Sequence, residues 1–170
     1  PFFVRGPGVC ANSTIHEVIG NTDLAPTFLE IAGVPTDALR PDGKSLLPLL
    51  QHCGGGERAR AAVPWRDEFP IEYFALQDWP ELPPAHRMND NPNNTYRALR
   101  IENATHSMLY AQHTVVSDWD FAAPYFEQSY DLRADPHQLR NAWPATAPAE
   151  QARLRARLDA VWRCQGKACP

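Results

Sequence analysis

The sequence lacks a long apolar run and a basic stripe, and each absence excludes a class of function. The apolar run at its start, residues 2–4, is far too short for a signal-peptide core or a membrane span. The net charge is -4, and the 16 lysines and arginines are scattered along the chain. Neither nucleic acid nor an anionic lipid surface is therefore an expected partner. The chain begins at Pro1 without an initiator methionine, and we expect it to be a fragment of a longer protein.

The sequence contains few cysteines, but two of them are spaced for a local disulfide. The four cysteines are Cys10, Cys53, Cys164 and Cys169, and the last two enclose Gly166, whose freedom suits the tight turn of a local disulfide. A zinc pair is the competing interpretation, but no second ligand pair has suitable spacing. We therefore predict a disulfide between Cys164 and Cys169, while the pairing of Cys10 and Cys53 stays open.

Three N-glycosylation sequons begin at Asn12, Asn93 and Asn103. Disulfides and sequons both belong to oxidising, secretory compartments. Together they predict a location that is secreted and extracellular, or lysosomal.

The first part of the chain predicts two strands and one helix. The apolar runs 2–4 and 18–19 fit buried strands. Asp23 is predicted to cap a helix of about residues 24–32, which explains this carboxylate better than metal binding does, and Gly33 is predicted to end the helix. Three apolar residues share one face of this helix at helical spacing: Leu24, Phe28 and Ile31.

The second part predicts a small antiparallel sheet covered by a helix. Residues 71–74 fit one strand, 96–101 and 107–111 fit a hairpin, and 125–132 fit a further strand. The clearest element is an amphipathic helix at about residues 149–163. The predicted fold class is α/β, with this sheet and helix attached to the edge of a larger α/β core.

Several polar residues have simple structural explanations. His106 and His113 are seven residues apart, so a continuous strand would place them on opposite faces and prevent shared metal ligation. Asp118 and Asp120 lie in a turn-like stretch, where exposure to solvent is expected. The three glycines at 54–56 are not followed by Lys and Ser or Thr, which argues against a phosphate-binding loop.

Two groups of motif residues, spread over nearly the whole chain in order, carry a family resemblance. In the first part they are residues 1–8, 21–27, 31–33, 42–45 and 49–50. In the second part they are residues 71–73, 94–96, 130–132 and 134–136, with Gln138, Asn141 and the terminal Cys164-x-Gly166-x-x-Cys169. With these residues the chain resembles the C-terminal part of the type I sulfatases, most of all the N-acetylglucosamine-6-sulfatases and the related algal and plant arylsulfatases.

The resemblance implies a hydrolase of sulfate monoesters on the α/β fold shared with alkaline phosphatase. It implies a parent enzyme with a formylglycine nucleophile and a calcium ion, acting on sulfated carbohydrate such as N-acetylglucosamine 6-sulfate, or on aryl sulfates. In this interpretation residues 1–70 are the C-terminal edge of the catalytic core, and residues 71–170 are the C-terminal subdomain. The remainder of the core, N-terminal to Pro1, would be the main partner.

The chain departs from the family at the nucleophile. That residue arises from Cys or Ser in a Cys/Ser-x-Pro-x-Arg motif, but Cys10 is followed by Ala-Asn and Cys53 by Gly-Gly. The family's calcium ligands also lie on segments that precede this chain. We therefore expect no catalytic residue and no metal ligand in this chain, no cofactor bound by the fragment, and no activity from it alone.

Glu72 and Tyr73 are the candidates for substrate contact, because loops of the C-terminal subdomain help to frame the sulfatase pocket. A carboxylate and an aromatic ring suit sugar hydroxyls and a ring face. The long excursion at residues 77–94 is a second candidate for binding residues. Two alternatives stay open: a phosphodiesterase or phosphonate hydrolase of the same superfamily, and a secreted, non-catalytic module that binds carbohydrate.

Overall fold

The computed structural model describes residues 2–35, 39–53, 63–75, 94–115 and 120–170. Contacts divide the chain into two compact units. Unit 1 comprises Pro1–Phe69 and Arg163–Pro170, and unit 2 comprises Pro70–Trp162. The sequence-based division into domains 1–70 and 71–170 stays a prediction. No helix among the described residues is both long and apolar enough to cross a bilayer.

A four-stranded sheet forms the centre of unit 2. Its strands are β1 (Glu68–Tyr73), β2 (Thr95–Glu102), β3 (Ser107–Thr114) and β4 (Phe126–Asp131), and they lie in the order β1-β2-β3-β4. β2 pairs antiparallel with β3, and β3 pairs antiparallel with β4. The hairpin and the further strands predicted from alternating sequence patterns are therefore confirmed.

One face of this sheet packs against a long helix, which we call α3 (Pro148–Trp162). The alternation of side chains places Leu99 and Ile101 of β2 on the same face as Tyr110 of β3. These residues form a buried cluster with four others: Trp143, Leu154, Leu158 and Val161. The predicted fold class, a small antiparallel sheet with a packed C-terminal helix, is confirmed.

A buried polar network ties the sheet to α3. The Tyr110 hydroxyl donates to Glu127 Oε1 at 2.5 Å, and Arg155 Nη2 of α3 donates to Glu127 Oε2 at 2.5 Å. Burial alone would raise the pKa of Glu127, but the hydrogen bonds from Arg155, Tyr110 and Gln112 outweigh it and leave that pKa lowered. Burial, together with the adjacent carboxylate, raises the pKa of Tyr110. Glu127 is thus held ionised and Tyr110 neutral.

Unit 1 contains two short helices, α1 (Leu24–Ile31) and α2 (Leu47–Gln51). Gly33 follows α1 with a φ of 69°, the left-handed conformation predicted to end this helix. The apolar face predicted for α1 is present but solvent-accessible, because Phe28 is 65% exposed and Ile31 is 62% exposed.

The two strands predicted in unit 1 are wrong. Residues 2–4 and 18–19 have no strand structure, and no described residue between positions 2 and 53 lies in a strand. A strand needs a hydrogen-bonded neighbour. Neither segment pairs with a described strand, so the apolar sequence alone does not produce one.

The C-terminal tail, residues 163–170, belongs to unit 1. A disulfide joins Cys164 to Cys169, whose Cα atoms are 5.0 Å apart. Inside this loop Gly166 has a φ of 55°, and its backbone N–H donates to Asp42 Oδ1 at 2.5 Å. The tail is therefore fixed to the loop that contains Asp42.

Candidate functional site

Glu72 and Tyr73 lie at the C-terminal end of β1, and both are exposed. The Tyr73 ring, 39% exposed, stacks on the Tyr96 ring of β2 with 5.5 Å between the centroids. Beyond β1, the Ala75 N–H donates to Thr95 Oγ1 at 3.2 Å and fixes the chain as it leaves the sheet. Most of the predicted excursion at 77–94 lies outside the described residues, and the contact role of Glu72 and Tyr73 stays a prediction.

Tyr73 is one end of a line of rings that crosses the sheet. We call these five residues the aromatic row: Tyr73, Tyr96, His113, Tyr125 and Phe126. Tyr96 pairs with His113, and His113 pairs with Phe126, in the strand register. The ring centroids are 5.4 Å apart for Tyr96 and His113, and 5.6 Å apart for His113 and Phe126. By strand alternation, Tyr96, His113 and Phe126 lie on the face opposite α3, and the ring contacts of Tyr73 and Tyr125 extend the row at its two ends.

His113, at the centre of the row, is half-buried and hydrogen-bonded to Gln128. Tyr130 donates its hydroxyl to Gln128 Oε1 at 2.8 Å, so the Gln128 amide nitrogen faces His113 Nε2 at 2.9 Å. This orientation assigns Nε2 as an acceptor and places the ring proton on Nδ1. Burial lowers the pKa of His113 from its ordinary value of 6.5. His113 is therefore a neutral hydrogen-bond donor in the row.

This environment predicts a loss of stability in mild acid. The unfolded chain protonates His113 at its ordinary pKa of 6.5, whereas the folded chain resists protonation. Stability should therefore fall as the pH drops below about 6.5 and continue to fall until the lowered folded pKa is reached. Urea unfolding between about pH 7.5 and pH 5 measures this effect.

The matched variants for this measurement are His113→Phe and His106→Gln. His113→Phe keeps a ring at the centre of the row but removes the titrating group, so its stability should depend less on pH. His106 lies in the turn that joins β2 and β3 and is exposed, so its replacement should preserve the pH dependence. An unchanged pH dependence in His113→Phe would contradict the assignment.

A second polar cluster, centred on Asp23, corrects the capping prediction. Asp23 precedes α1 but makes no side-chain cap hydrogen bond, because its φ of -79° and ψ of -17° are helical rather than extended. Its fully buried carboxylate instead pairs with the guanidinium of Arg66, with Nη1 2.9 Å from Oδ2 and Nη2 2.5 Å from Oδ1. Backbone N–H groups of Gly20 and Lys44 also donate to it, each at 2.8 Å.

The motif residues 21–27 and 42–45, which carry much of the family resemblance, meet at this cluster. A Cβ atom on Gly43 would lie 2.1 Å from the backbone oxygen of Thr22, so only glycine fits at that position. The Thr27 hydroxyl donates to the Asp23 backbone oxygen at 2.6 Å and accepts the Leu46 N–H at 2.8 Å. These motif residues therefore have a structural role.

Lys44 stands beside this cluster, and its pKa is lowered. Burial is the main cause and the positive charge of Arg66 adds to it, while Asp23 acts in the opposite direction.

The described residues contain no group of three or more His, Cys, Asp or Glu side chains that could hold a metal ion. Both oxygens of Asp23 already accept hydrogen bonds, so metal binding does not explain this carboxylate.

The structure shows how Cys10 and Cys53 pair and where two of the three sequon asparagines lie. Cys10 is bonded to Cys53, with 5.2 Å between their Cα atoms, which settles the pairing that the sequence left open. Asn12 is exposed next to that bond, and Asn103 lies in the turn between β2 and β3, where its side-chain oxygen accepts the Thr105 N–H at 3.0 Å. Asn93 lies outside the described residues. Glycosylation of the three asparagines stays a prediction.

Three other polar candidates lie among the described residues: His106, His113 and Asp120. The Asp120 side chain accepts the backbone N–H of Ala122 at 2.9 Å, while Asp118 and the glycines at 54–56 lie outside the described residues. His106 and His113 are separated by most of the length of β3. Within the described part of the chain, the aromatic row is the arrangement that sequence reasoning missed, since only Tyr73 of its members was singled out for binding.

Comparisons with known proteins show which proteins the chain is similar to. No protein-family model matches it. N-acetylglucosamine-6-sulfatase of Capra hircus is 30% identical over 182 residues, which cover 99% of this chain and 30% of that protein. Arylsulfatase of Chlamydomonas reinhardtii is 27% identical over 179 residues, covering 99% of this chain and 26% of the relative.

Two further matches are partial. An extracellular sulfatase SULF-1 homolog of Drosophila melanogaster is 46% identical over 72 residues, covering 42% of this chain and 6% of that protein. A protein solved in complex with its substrate, D-glucosamine-2-N,6-O-disulfate, superimposes with a TM-score of 0.50 over 81% of this chain and 22% of that chain. At 24% identity this likeness shows the fold alone.

The chain spans about 30% of the N-acetylglucosamine-6-sulfatase it matches. Its resemblance to the C-terminal part of the sulfatases is confirmed over nearly its whole length.

Proposed function

We propose that the chain is the C-terminal part of a sulfatase that hydrolyses sulfate esters of carbohydrates, with N-acetylglucosamine 6-sulfate as the leading candidate substrate. The observation that carries the proposal is the match to N-acetylglucosamine-6-sulfatase over 99% of this chain. The two disulfides and the relative named an extracellular sulfatase support a secreted or lysosomal parent protein.

The same proposal implies that this part of the enzyme is inactive by itself. Hydrolysis of a sulfate ester needs an activated nucleophile and positive charge around the sulfate oxygens. The sequence has no Cys/Ser-x-Pro-x-Arg motif. Five described arginines already pair with carboxylates: Arg66, Arg97, Arg100, Arg153 and Arg155. The positive charge of each of these arginines is therefore neutralised by a carboxylate of the same chain.

Calcium and formylglycine are proposed for the parent enzyme. The described residues of this chain do not fit a calcium ion, which takes six to eight oxygen ligands. Asp23 is fully buried and its carboxylate is engaged by Arg66, Lys44 and Gly20. Other segments of the parent protein would have to supply both groups.

Glu72 and Tyr73 are proposed to contact the sugar rather than the sulfate. Both are exposed at the end of a strand that the sheet holds in place, and Tyr73 is further fixed by its stacking on Tyr96. A carboxylate accepts hydrogen bonds from sugar hydroxyls, and an aromatic ring covers an apolar sugar face. Their role would be substrate selection and not the chemical step.

The first test compares the 170-residue chain with its full parent protein on an aryl sulfate. The parent protein should turn over the substrate, and the chain alone should show only the uncatalysed rate, because loss of the nucleophile removes most of the rate enhancement. Clear turnover by the chain would contradict the proposed inactivity. Absence of sulfatase activity in the parent would contradict the family assignment of function.

The second test places Glu72→Gln and Tyr73→Ala in the parent protein. Both should raise KM for N-acetylglucosamine 6-sulfate while leaving the aryl sulfate reaction nearly unchanged, since an aryl sulfate has no sugar hydroxyls. Glu150→Gln, a change of an exposed carboxylate on α3, is the matched control. Equal effects on both substrates would argue for a structural role instead.

A further inference from the structure

We propose that the Tyr125 and Phe126 end of the aromatic row is an accessory binding site for one uncharged pyranose ring of a glycan. The choice of a sugar as the ligand rests on the proposed function. The site itself rests on the geometry of the five rings of the row, and it differs in chemistry from a site that binds sulfate.

The rings are regularly spaced and partly open to solvent. Neighbouring centroids along Tyr73, Tyr96, His113 and Phe126 are 5.5, 5.4 and 5.6 Å apart, as expected for side chains on adjacent strands. Solvent reaches both ends of the row, because Tyr73 is 39% exposed at one end while Tyr125 is 53% and Phe126 is 44% exposed at the other. Exposed aromatic surface of this extent marks an interaction site more often than a single exposed ring does.

Rings with polar edges suit a sugar better than a protein partner. A pyranose presents C–H groups on its faces and hydroxyls around its rim, so it can cover a ring while its hydroxyls bond to groups beside that ring. The row supplies both features, since three of its rings are tyrosines and His113 adds a polar ring nitrogen. In the orientation assigned to the Gln128 amide, its nitrogen donates to His113 Nε2 and the ring proton is on Nδ1.

The row carries no net charge among the described residues. The charged residues of β2 on this face are Arg100 and Glu102, and they pair with each other at 2.5 Å. Arg100 is four residues from Tyr96, which corresponds to about 13 Å along a strand. Glu72, next to Tyr73 at the end of β1, is a carboxylate and would repel a sulfate. A sulfate bound at the row would meet no described cation, and an uncharged sugar is therefore the ligand that fits.

The experiment measures binding of two sugars to the whole 170-residue chain by calorimetry or ligand-observed NMR. The probes are a chitin trisaccharide, which is uncharged, and N-acetylglucosamine 6-sulfate. The chitin trisaccharide should bind more tightly than N-acetylglucosamine 6-sulfate, and raising the salt concentration should leave its affinity unchanged. Phe126→Ala and Tyr125→Ala should each weaken binding by about tenfold, as expected for removal of a stacked ring.

Phe28→Ala is the matched control, because Phe28 is also an exposed phenylalanine but lies in unit 1. It should leave binding unchanged. Phe126→Tyr keeps a ring and should also retain binding, which keeps the test decisive if the alanine variant does not fold. His113→Phe should preserve stacking but weaken binding by several-fold, since it removes the donor.

Three results would overturn the inference. One is the absence of saturable binding of either sugar at concentrations up to about 10 mM. Another is an equal effect of Phe126→Ala and Phe28→Ala. The third is salt-sensitive binding of the sulfated sugar alone, which would indicate a cationic sulfate site. None of them bears on aryl sulfate hydrolysis by the parent protein, so this inference and the proposed function fail separately.

Discussion

Replacing Asp23 with asparagine is expected to destabilise unit 1 by about 3–5 kcal/mol. The substitution preserves size but removes the charge that neutralises Arg66, whose side chain is only 1% exposed. A buried guanidinium without a counter-charge is among the most costly defects in a folded protein.

The hydrogen-bond geometry makes asparagine a poor replacement in either orientation. Oδ1 accepts from Lys44 N and Arg66 Nη2, and Oδ2 accepts from Gly20 N and Arg66 Nη1. An amide offers one acceptor oxygen, so its NH2 group would face two donors whichever way it turned. The loss therefore includes at least two unsatisfied buried groups in addition to the lost charge.

Hydrogen exchange of the amides in α1, followed by mass spectrometry, measures this effect within unit 1. Glu150→Gln is the control, because it breaks an exposed ion pair with Arg153 and should cost about 0–1 kcal/mol. Adding Arg66→Met to Asp23→Asn should recover part of the stability, since it removes the uncompensated charge. A double variant at least as unstable as the sum of the two single variants would contradict this explanation.

Removing the disulfide between Cys10 and Cys53 is the second large effect we expect. The bond closes a loop across 43 residues, and the chain-entropy relation gives a contribution of about 4 kcal/mol for a loop of that size. The bond between Cys164 and Cys169 spans only 5 residues, for which the same relation gives about 2 kcal/mol. Both bonds lie in unit 1, so each serves as the control for the other.

The comparison uses two double variants, Cys10→Ser with Cys53→Ser, and Cys164→Ser with Cys169→Ser. The amide hydrogens of Cys10 and Leu50, which bond to Leu50 O and Leu46 O, report on the stability of this part of unit 1. The first variant should exchange markedly faster than the second. Equal exchange rates, or the reverse order, would show that loop length does not determine the contribution of these bonds.

The elements of unit 2 could be predicted because their patterns are local. β2 and β3 alternate between a helix-facing side and an opposite side, and α3 repeats buried leucines at positions 154 and 158. Each pattern reflects burial of one face against a neighbour that the chain itself supplies. The apolar runs at 2–4 and 18–19 pair with no described strand, and there the same reasoning failed.

The ion pair of Asp23 and Arg66 could not be predicted, because 43 residues separate the partners and nothing in the sequence links them. The local signal instead favoured helix capping, since an aspartate before a helix usually caps it. The aromatic row was missed for a related reason. Tyr96, His113 and Phe126 become neighbours only once the register of three strands is known, and the sequence specified the strands without the register.

The hydrogen bond between Gly166 and Asp42 bears on how truncated variants of this chain are interpreted. Unit 1 depends on residues from both ends of the chain, because the tail after Trp162 returns to it and bonds to Asp42. A premature stop codon just after α3 would therefore leave all of unit 2 encoded and still remove part of unit 1. Variants truncated at this point should be classified with those that damage the first seventy residues, although the lesion lies at the far end of the reading frame of this chain.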